Sequence, residues 1–319
     1  MTTESCMSSP HRLALPCVRP GLPLSAMTDP ATVHVPVLLN EILDLLNLQP
    51  GQTVVDGTLG GGGHSRKLSE RVGDAGRVIG IDRDPSAIEA ISPHLPDNVV
   101  PIVGNYADLP EILDSMEVPQ VDAILLDLGF SSDQLASPTR GFSFNSEGDL
   151  DLRFDPLRGE PAYRLVNRLK EKHLADLIYE FGEEKFSRRI ARKICARRHE
   201  QPIRTARQLA DLVRSCVPRS RNHSIDPATR TFQALRIAVN EELKWLTVAV
   251  RRIPGCLAPG GRIAIISFHS LEDRIVKTGL KENPQLDLVN RRPITASDAE
   301  IAHNPRSRSA KLRVAQRRV

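Results

Sequence analysis

The chain has 319 residues, 40% of them hydrophobic, which is enough for one large domain or two smaller ones with a sizeable core. No apolar run is long enough to span a bilayer, and five scattered cysteines without a C-x-x-C pair argue against a disulfide framework or a structural zinc site. This cysteine usage favours a reducing compartment, so we expect a cytoplasmic protein that holds no metal.

The net charge of +4 is unevenly distributed along the chain. Residues 185–236 contain 14 Lys and Arg against 3 Asp and Glu, and residues 303–319 contain 6 Lys and Arg and no acid. Such an asymmetry predicts a basic face that binds a polyanion, with nucleic acid as the expected partner. A solvated helix face is the alternative.

Residues 1–32 are rich in Pro, Ser and Thr and show no periodicity, so we predict a disordered, dispensable tail. A transit peptide is the alternative, because acids are few and Arg12 and Arg19 are present. Met27 is a second candidate for the start of translation. Beyond the tail, apolar residues at helical spacing between positions 38 and 46 predict a first helix that packs on a sheet.

Four consecutive glycines, Gly60–Gly63, join a short apolar run to a segment of good helix formers. A strand, a glycine turn and a helix form the first βα unit of a nucleotide-binding sheet, in which backbone N–H groups can approach a ligand closely. The dinucleotide fingerprint is absent, since Ser65 or Arg66 replaces its last glycine. A P-loop is absent too, because His64 follows the glycines.

The second predicted strand, residues 77–81, ends at Asp82, about twenty residues beyond the glycines, where an acidic side chain binds ribose hydroxyls. The segment Asp56–Gly62 resembles the acidic-x-Gly-x-Gly-x-Gly motif of class I S-adenosylmethionine methyltransferases, with Thr58 in place of one glycine. A Gly-rich first turn alone is common in doubly wound proteins. Together with Asp82 it predicts a nucleoside-type cofactor.

A third strand at residues 99–103 is followed by Tyr106, which we expect to stack on an adenine; a plain core tyrosine is the alternative. The fourth strand is continuously apolar, as a central parallel strand should be, and it ends in Asp127. This position is the carboxyl edge of the sheet, where α/β proteins bind ligands. From Asp127 to Phe130 the spacing is that of the Asp/Asn-Pro-Pro-aromatic motif of amino-methyltransferases.

No strand is predicted between residues 134 and 226. A polar loop that begins at Arg140 is followed by three or more helical segments, including Leu174–Phe181, Phe186–Arg198 and Ala206–Cys216. We therefore predict three regions: a tail at 1–32, a methyltransferase domain formed by 33–133 and 227–319, and an inserted helical substrate-recognition domain at 134–226.

The remaining elements complete an α/β pattern. Thr229–Ile253 is predicted as one long amphipathic helix, followed by a turn at Leu257–Gly261 and a fifth strand at Arg262–His269. Ser270–Asp273 has the form of a capping box that opens the next helix, and two last strands are expected near residues 286–289 and 310–315. The predicted fold is a class I methyltransferase, with a Rossmann-like, mostly parallel sheet and an inserted all-helical domain.

Ordered motifs from about Val33 to the C-terminus resemble those of the bacterial small-subunit rRNA cytosine-N4 methyltransferases. They lie at His34–Leu38, Asp56–Ser65, Asp127–Ser132, Arg140–Phe144, Thr229–Ala234, Ser267–Arg274 and Asn304–Ser309. The resemblance implies S-adenosylmethionine as cofactor and methylation of the exocyclic N4 of a decoding-centre cytosine of 16S rRNA on the assembled small ribosomal subunit.

The same resemblance, carried over motif by motif, implies a set of cofactor contacts. These fall on Gly62, Gly63, His64, Asp82, Tyr106, Asp127 and Gln134. Tyr106 departs from the phenylalanine of the family, a change that preserves stacking, and Phe130 stands where the family often has an aliphatic residue. For the RNA we expect contacts from Arg140, Phe142, Phe144, Arg188, Arg189, Arg192 and Arg230.

The chemistry of N4 suggests the catalytic residues. The lone pair of N4 is delocalised into the ring, so a carboxylate that accepts its N–H bonds can localise the pair and help to take the proton. We therefore expect Asp127 to lie at N4 or between N4 and the cofactor, and Phe130 to stack on the base; an N-cap role is the alternative for Asp127. His269 can line the pocket, or it can be a structural histidine beside the capping box.

Three classes of function stay open at this point. The first is an rRNA cytosine-N4 methyltransferase, and the second is a class I methyltransferase that acts on another RNA or on DNA. The third is a non-catalytic RNA-binding module, against which Asp82, Asp127 and the intact glycines argue.

Overall fold

The structure is a computed structural model that describes residues 35–129, 134–135, 137–218 and 226–319. The predictions for residues 1–32, including Met27, and for Phe130 lie outside the described residues. From residue 35 onward the described residues belong to one compact unit. None of the described helices combines the length and the apolar composition that a membrane span needs.

The strands of the described chain form one seven-stranded sheet. In chain order they are β1 Thr53–Asp56, β2 Arg77–Asp82, β3 Val99–Val103, β4 Val121–Asp127, β5 Leu257–Ser267, β6 Leu286–Leu288 and β7 Lys311–Arg317. The order across the sheet is β3-β2-β1-β4-β5-β7-β6, and only β7 runs antiparallel to its neighbours. The predicted class I methyltransferase sheet is thereby confirmed, with its topological switch point between β1 and β4.

Helices cover both faces of this sheet. The helices that flank it are α1 Leu39–Leu46, α2 Gly63–Val72, α3 Pro85–Ile91, α4 Leu109–Ser115, α10 Glu242–Arg252, α11 Ser270–Glu282 and α12 Asp298–His303. The side chains of α1 and α2 share a hydrophobic cluster with one face of β1 and β4. Those of α4, α10 and α11 share another with the opposite face. Because side chains alternate along a strand, the continuously apolar β4 supplies both clusters.

The segment between β4 and β5 contains a further group of helices. They are α5 Ala162–Arg168, α6 Glu171–Gly182, α7 Ser187–Glu200, α8 Ala206–Arg214 and α9 Thr229–Asn240. The three helical segments named from the sequence correspond to α6, α7 and α8, and α5 is a further helix of the same region. These helices share a hydrophobic cluster of their own, to which α9 contributes Phe232 and Leu235. The domain division at 134–226 stays a prediction. Helix α9 lies beyond this range, and it packs with the inserted helices.

A single helix from Thr229 to Ile253 is the wrong prediction for this segment. The helix breaks at Glu241, whose φ of 50° lies in the left-handed region, and α9 and α10 then pack in different clusters. The Asn240 side chain holds the break, because its Nδ2 donates to the Leu152 carbonyl (2.7 Å) and its Oδ1 accepts from Phe154 N–H (2.7 Å). Both halves are amphipathic, so hydrophobic periodicity alone does not reveal the break.

The predicted capping box at Ser270–Asp273 is wrong by one residue. The N-cap of α11 is His269, whose Nδ1 accepts from Glu272 N–H (3.4 Å), and Glu272 Oε2 accepts from Phe268 N–H (2.8 Å). The Ser270 hydroxyl bonds to the Glu183 carboxylate instead. The predicted turn at Leu257–Gly261 is likewise wrong: it belongs to β5, with a register shift against β4.

Candidate active site

A cavity lies at the carboxyl ends of β1, β2 and β4, and it encloses about 880 Å³ of space with its open mouth included. Its walls are formed by Gly57, Thr58, Leu59, Gly60, Gly63, His64, Asp82, Arg83, Tyr106, Asp127, Leu128, Gly129, Gln134, Phe154, Glu242, Leu246 and Glu272. The position is the switch point of the sheet, where open α/β sheets bind their ligands. Most of the cofactor contacts implied by the sequence meet here.

The glycine loop is tied to the sheet by Asp56 at the end of β1. Asp56 is fully buried, and its carboxylate accepts from the Ser65 hydroxyl (2.6 Å) and from Thr58 N–H (3.1 Å). Burial raises the pKa of Asp56, against the lowering effect of His64 and of these hydrogen bonds. The Thr58 hydroxyl also accepts from Asp127 N–H (2.7 Å), so the ends of β1 and β4 are fastened together.

Gly62 and Gly63 have different positions relative to the cavity. Gly63 lines it at the start of α2. Gly62 is not among the lining residues; it is the N-cap of α2, with a φ of 71° that an L side chain rarely adopts. The contact predicted for Gly62 stays a prediction, but its evident role is to turn the chain into the helix.

Asp82 lies half-buried at the end of β2 and lines the cavity. Its Oδ2 accepts from Gly60 N–H (2.8 Å) and its Oδ1 from Asp84 N–H (2.9 Å), which fixes the orientation of the carboxylate. Burial raises the pKa of Asp82, and these two N–H groups act in the opposite direction. A carboxylate held in this way beside a glycine loop fits the predicted contact with ribose hydroxyls.

We expect Asp82→Ala to weaken S-adenosylmethionine binding by about 1–3 kcal/mol, the usual effect of losing a charge-assisted hydrogen bond. Calorimetry on the purified, folded variant measures the change. Asp84→Asn is the matched control, because Asp84 caps α3 and pairs with Arg140 and is not among the residues that line the cavity. Unchanged affinity in Asp82→Ala would contradict the assignment.

Tyr106 and Gln134 also line the cavity. Tyr106 begins a 3-10 turn capped by the Asn105 side chain, and it packs against the core beneath α10. Burial, with the Glu242 and Glu272 carboxylates nearby, raises the pKa of Tyr106, so its hydroxyl stays protonated. A partly buried ring on the cavity wall is compatible both with stacking on an adenine and with the core alternative.

Asp127 faces His64 across the carboxyl end of the sheet. Asp127 Oδ1 accepts from Gly129 N–H (3.2 Å), and this is the hydrogen bond that the N-cap alternative requires. The other oxygen, Oδ2, lies 3.7 Å from His64 Nδ1. The side chains of Asp127 and His64 are 14% and 5% exposed, and both line the cavity. A carboxylate in this position can accept hydrogen bonds from an amine that enters the cavity.

His269, the other predicted catalytic side chain, lies behind the cavity wall. The wall is formed at this point by Glu272, and His269 Nε2 lies 3.1 Å from Glu272 Oε1. Because its Nδ1 caps α11, this geometry favours the structural alternative for His269 over a contact with substrate. Phe130 is outside the described residues, so its stacking role stays a prediction.

Several cavity residues were not expected from the sequence. Phe154 comes from the polar loop, and its ring stacks on Phe142 with centroids 6.0 Å apart. Glu242 forms a bidentate ion pair with Arg236, with N–O distances of 2.9 and 3.0 Å. These residues are distant in sequence from the glycine motif, and no local pattern marks them.

Glu242, His269 and Glu272 bring potential metal-binding atoms within 4.8 Å of one another. Both Glu242 oxygens already bond to Arg236, whose positive charge opposes a cation at this point. His269 Nδ1 accepts a backbone hydrogen bond, so the proton of the neutral ring resides on Nε2 rather than leaving a lone pair there. The cluster is therefore better suited to hydrogen bonding than to metal binding.

The predicted RNA contacts divide into buried and exposed residues. Arg140 pairs with Asp84 (2.8 Å) and donates to two loop carbonyls, and Phe142 is 6% exposed. Phe144 packs edge-on against Phe232 with centroids 4.8 Å apart. These contacts stabilise the inserted segment, so the RNA contacts predicted for Arg140, Phe142 and Phe144 lack geometric support and stay predictions.

The exposed set consists of arginines on α7 and α9. Arg188, Arg189, Arg192 and Arg230 are all exposed. Arg192 approaches Glu171 at 3.6 Å, and Arg230 donates to the Glu183 carbonyl (3.3 Å). These side chains are accessible to a polyanion.

Comparison with known proteins establishes the family. The model of the MraW methylase family matches residues 31–318. The chain belongs to the MraW methylase family. Within it, "Ribosomal RNA small subunit methyltransferase H" of Rhodopirellula baltica is 50% identical over 90% of this chain and 92% of its own length. The proteins of the same name from Thermomicrobium roseum and Deinococcus radiodurans are 46% and 48% identical, over 92% and 94% of this chain and 96% and 95% of their own lengths.

As an MraW methylase, the protein is a methyltransferase that uses S-adenosylmethionine. The cavity residues fit this cofactor. A Cβ at Gly57 would lie 2.4 Å from Leu126 and 3.1 Å from Tyr106, so glycine permits the close approach of the loop to the ends of β4 and β3. The Asp82 carboxylate can hold the ribose, and the backbone around Gly60 and Gly63 can hold the polar methionine end.

Proposed function

We propose that this protein methylates the exocyclic N4 of cytosine C1402 of 16S rRNA on the small ribosomal subunit. The observation that carries the proposal is the Asp127 carboxylate, which lies on the cavity wall opposite His64 and beside the glycine loop. The names of the relatives support a small-subunit rRNA substrate. A cytoplasmic location is part of the proposal, since its substrate is the bacterial ribosome.

The residues of the cavity have distinct tasks in this reaction. When bound, S-adenosylmethionine supplies an electrophilic methyl group. Asp127 accepts an N–H bond from N4, which localises the nitrogen lone pair and orients it. The Thr58 hydroxyl accepts from the Asp127 backbone N–H, and Gly129 N–H donates to the carboxylate, so both the backbone and the side chain of Asp127 are held in place. Phe154 and Leu246 contribute apolar surface to the cavity wall.

Binding of the RNA is assigned mainly to the inserted helices. Many of the basic residues counted in 185–236 have structural partners: Arg214 pairs with Asp226 at 2.6 Å, Arg236 with Glu242, and Arg198 donates to the Val166 carbonyl. Arg188 and Arg189 are exposed on α7, and none of their neighbours in the described chain forms an ion pair with them. The surface available to phosphates is therefore smaller than the charge count suggests, and it centres on α7.

We expect the triple change of Arg188, Arg189 and Arg192 to Gln to flatten the salt dependence of rRNA binding. If each side chain neutralises one phosphate, the slope of log K against log salt becomes less negative by about two to three units. The affinity for S-adenosylmethionine should not change, because the cavity lies on other elements. Salt-dependent binding and the melting temperature are measured on the same preparation.

A control variant with Arg71, Lys244 and Lys281 changed to Gln loses the same charge from helices beside the sheet. It should retain the salt slope of the wild type. The opposite result is a triple α7 variant that loses thermal stability while its salt slope stays unchanged. That result would show that these arginines stabilise the fold and do not bind the RNA.

Methyl transfer from radiolabelled cofactor tests the proposed function. Assembled small subunits, naked 16S rRNA and DNA serve as acceptors, and mass spectrometry of the digested RNA locates the methyl group. We expect N4-methylcytidine at C1402 on small subunits. Transfer only to DNA or another RNA would assign the protein to a different class of methyltransferase, and RNA binding without transfer would make it a non-catalytic module.

A further inference from the structure

The environment of His64 defines which of its ring nitrogens carries a proton. His64 lies in the first turn of α2, is 4% exposed, and places Nε2 3.0 Å from the carbonyl oxygen of Val37. A carbonyl oxygen only accepts hydrogen bonds, so the ring must donate from Nε2. In the neutral ring, Nδ1 is then an unprotonated lone pair, and it lies 3.7 Å from Asp127 Oδ2.

Two carboxylates face this ring, Asp127 from β4 and Asp56 from β1. Asp56 is already committed, because its oxygens accept from Ser65 and Thr58. On α2 itself, Arg66 is turned away and donates to the Gly61 carbonyl (2.9 Å). Asp127 is therefore the group with which His64 can exchange a proton.

We propose that His64 is a positioning residue that acts through Asp127 and takes up the proton that Asp127 receives from the methylated amine. The inference rests on the proposed function and deepens it. For each methyl group that N4 gains, it loses one proton, which passes to the Asp127 carboxylate. The proton then moves from the Asp127 carboxyl group to Nδ1, leaving Asp127 ionised and His64 as an imidazolium still bonded to Val37. Release of product returns the proton to water.

The reason for a second acceptor is the burial of the first. Asp127 is 14% exposed, so a proton received from the amine has little access to water while the RNA covers the cavity. A free imidazole is a stronger base than a free carboxylate near neutral pH, so transfer to His64 restores the charge that Asp127 needs for the next turnover. The separation of 3.7 Å must shorten by less than about 1 Å to reach hydrogen-bond distance, which rotation of the Asp127 side chain can supply.

The protonation of His64 can be tested without cofactor or RNA. Nitrogen-15 NMR of the imidazole rings in the free, full-length protein distinguishes the two neutral tautomers. We expect the neutral His64 ring to carry its proton on Nε2. A proton on Nδ1 would overturn the inference, because Nδ1 would then have no lone pair to offer Asp127.

Turnover tests the proton transfer itself. In His64→Gln the amide N–H can replace the Nε2 donor to Val37, but the side chain cannot accept a proton. We expect kcat on small subunits to fall about tenfold or more at neutral pH, with KM for the subunit unchanged. Because a protonated His64 cannot accept the proton, we also expect the wild type to lose kcat towards acid pH, and this acid-side loss should be absent in His64→Gln. His94→Gln, which changes an exposed histidine outside the cavity, controls for histidine titration in general and should keep the wild-type profile.

Calorimetry with S-adenosylmethionine completes the test. A His64→Gln variant that keeps the wild-type pH profile overturns the inference. So does a loss of turnover that saturating cofactor restores, since His64 would then serve cofactor binding. Failure of the proposed function is a different result: wild-type protein transfers no methyl group to small subunits. The His64→Gln profile is then measured on whichever nucleic acid accepts the methyl group, and the NMR result is unaffected.

Discussion

Asp127→Ala should reduce methyl transfer by about 10²–10⁴-fold, the range associated with a positioned acid–base group, and leave the protein folded and able to bind rRNA. The side chain lies on the cavity wall, where it can accept the N4 hydrogen bond. Within the part of the chain that the structure describes, the carboxylate accepts one hydrogen bond, from Gly129 N–H (3.2 Å), so the expected loss of stability is small. Single-turnover rates at saturating cofactor measure the effect.

Asp122→Ala is the matched control for this variant. Asp122 lies on the same strand, and its carboxylate accepts from Thr53 N–H (2.8 Å) at the opposite end of β4. We expect near-normal transfer in Asp122→Ala. Near-normal transfer in Asp127→Ala as well would mean that Asp127 only closes its turn, and another acceptor, such as Glu272 on the same cavity wall, would have to be considered.

Arg236→Met should lower the free energy of unfolding by about 3–5 kcal/mol, because it leaves the Glu242 carboxylate buried without its partner. The two side chains are 11% and 8% exposed and are joined by two hydrogen bonds. The pair spans the break between α9 and α10, so its loss affects the junction of the inserted helices with the sheet. Urea-induced unfolding measures the change.

The effect of Arg236→Met should depend on pH. Burial raises the pKa of Glu242, and Arg236 acts against this increase, so the variant favours a protonated Glu242 in the folded state. A carboxyl group with a raised pKa in the folded state contributes stability at low pH and loses it as the pH rises. The loss of unfolding free energy caused by Arg236→Met should therefore be smaller at about pH 5 than at about pH 8.

Two comparisons make the Arg236 experiment decisive. Arg252→Met breaks an exposed pair with Glu111 and should have little effect, because solvent screens it. Glu242→Gln added to Arg236→Met removes the unpaired charge and should recover part of the stability. If Arg236→Met and Arg252→Met lowered the free energy of unfolding equally, burial would not increase the contribution of the ion pair to stability.

Much of the sheet could be predicted from local patterns. The glycine run, the acid that ends β2 and the apolar β4 are each patterns of only a few consecutive residues, and each is constrained by one physical requirement. For the same reason Asp82 and Asp127 were expected at one edge of the sheet, whereas His64 entered the predicted site through the family resemblance alone. Parallel strands present their carboxyl ends at one edge, so residues that end strands meet there without any knowledge of packing.

Predictions that needed the packing were less successful. The break at Glu241 is invisible to periodicity, since residues on either side are amphipathic and differ only in which cluster they join. The RNA contacts of Arg140–Phe144 stay predictions, but the sequence did not indicate that Phe142 packs in the core of the inserted helices. The charge count behaved similarly, because arginines that pair internally contribute to the count but not to a binding surface.

The sequence by itself therefore determined the class I fold, the cofactor class and which strand-end carboxylates line the cavity, because short-range backbone requirements encode them. Only the tertiary structure decided that Glu242, Glu272 and Phe154 complete the cavity, that Glu272 rather than His269 forms its wall, and that His64 faces Asp127. These facts depend on contacts between residues far apart in the chain, among them His64 with Val37 and Arg236 with Glu242. Such contacts arise from the packing of whole elements, and no local pattern of residues specifies them.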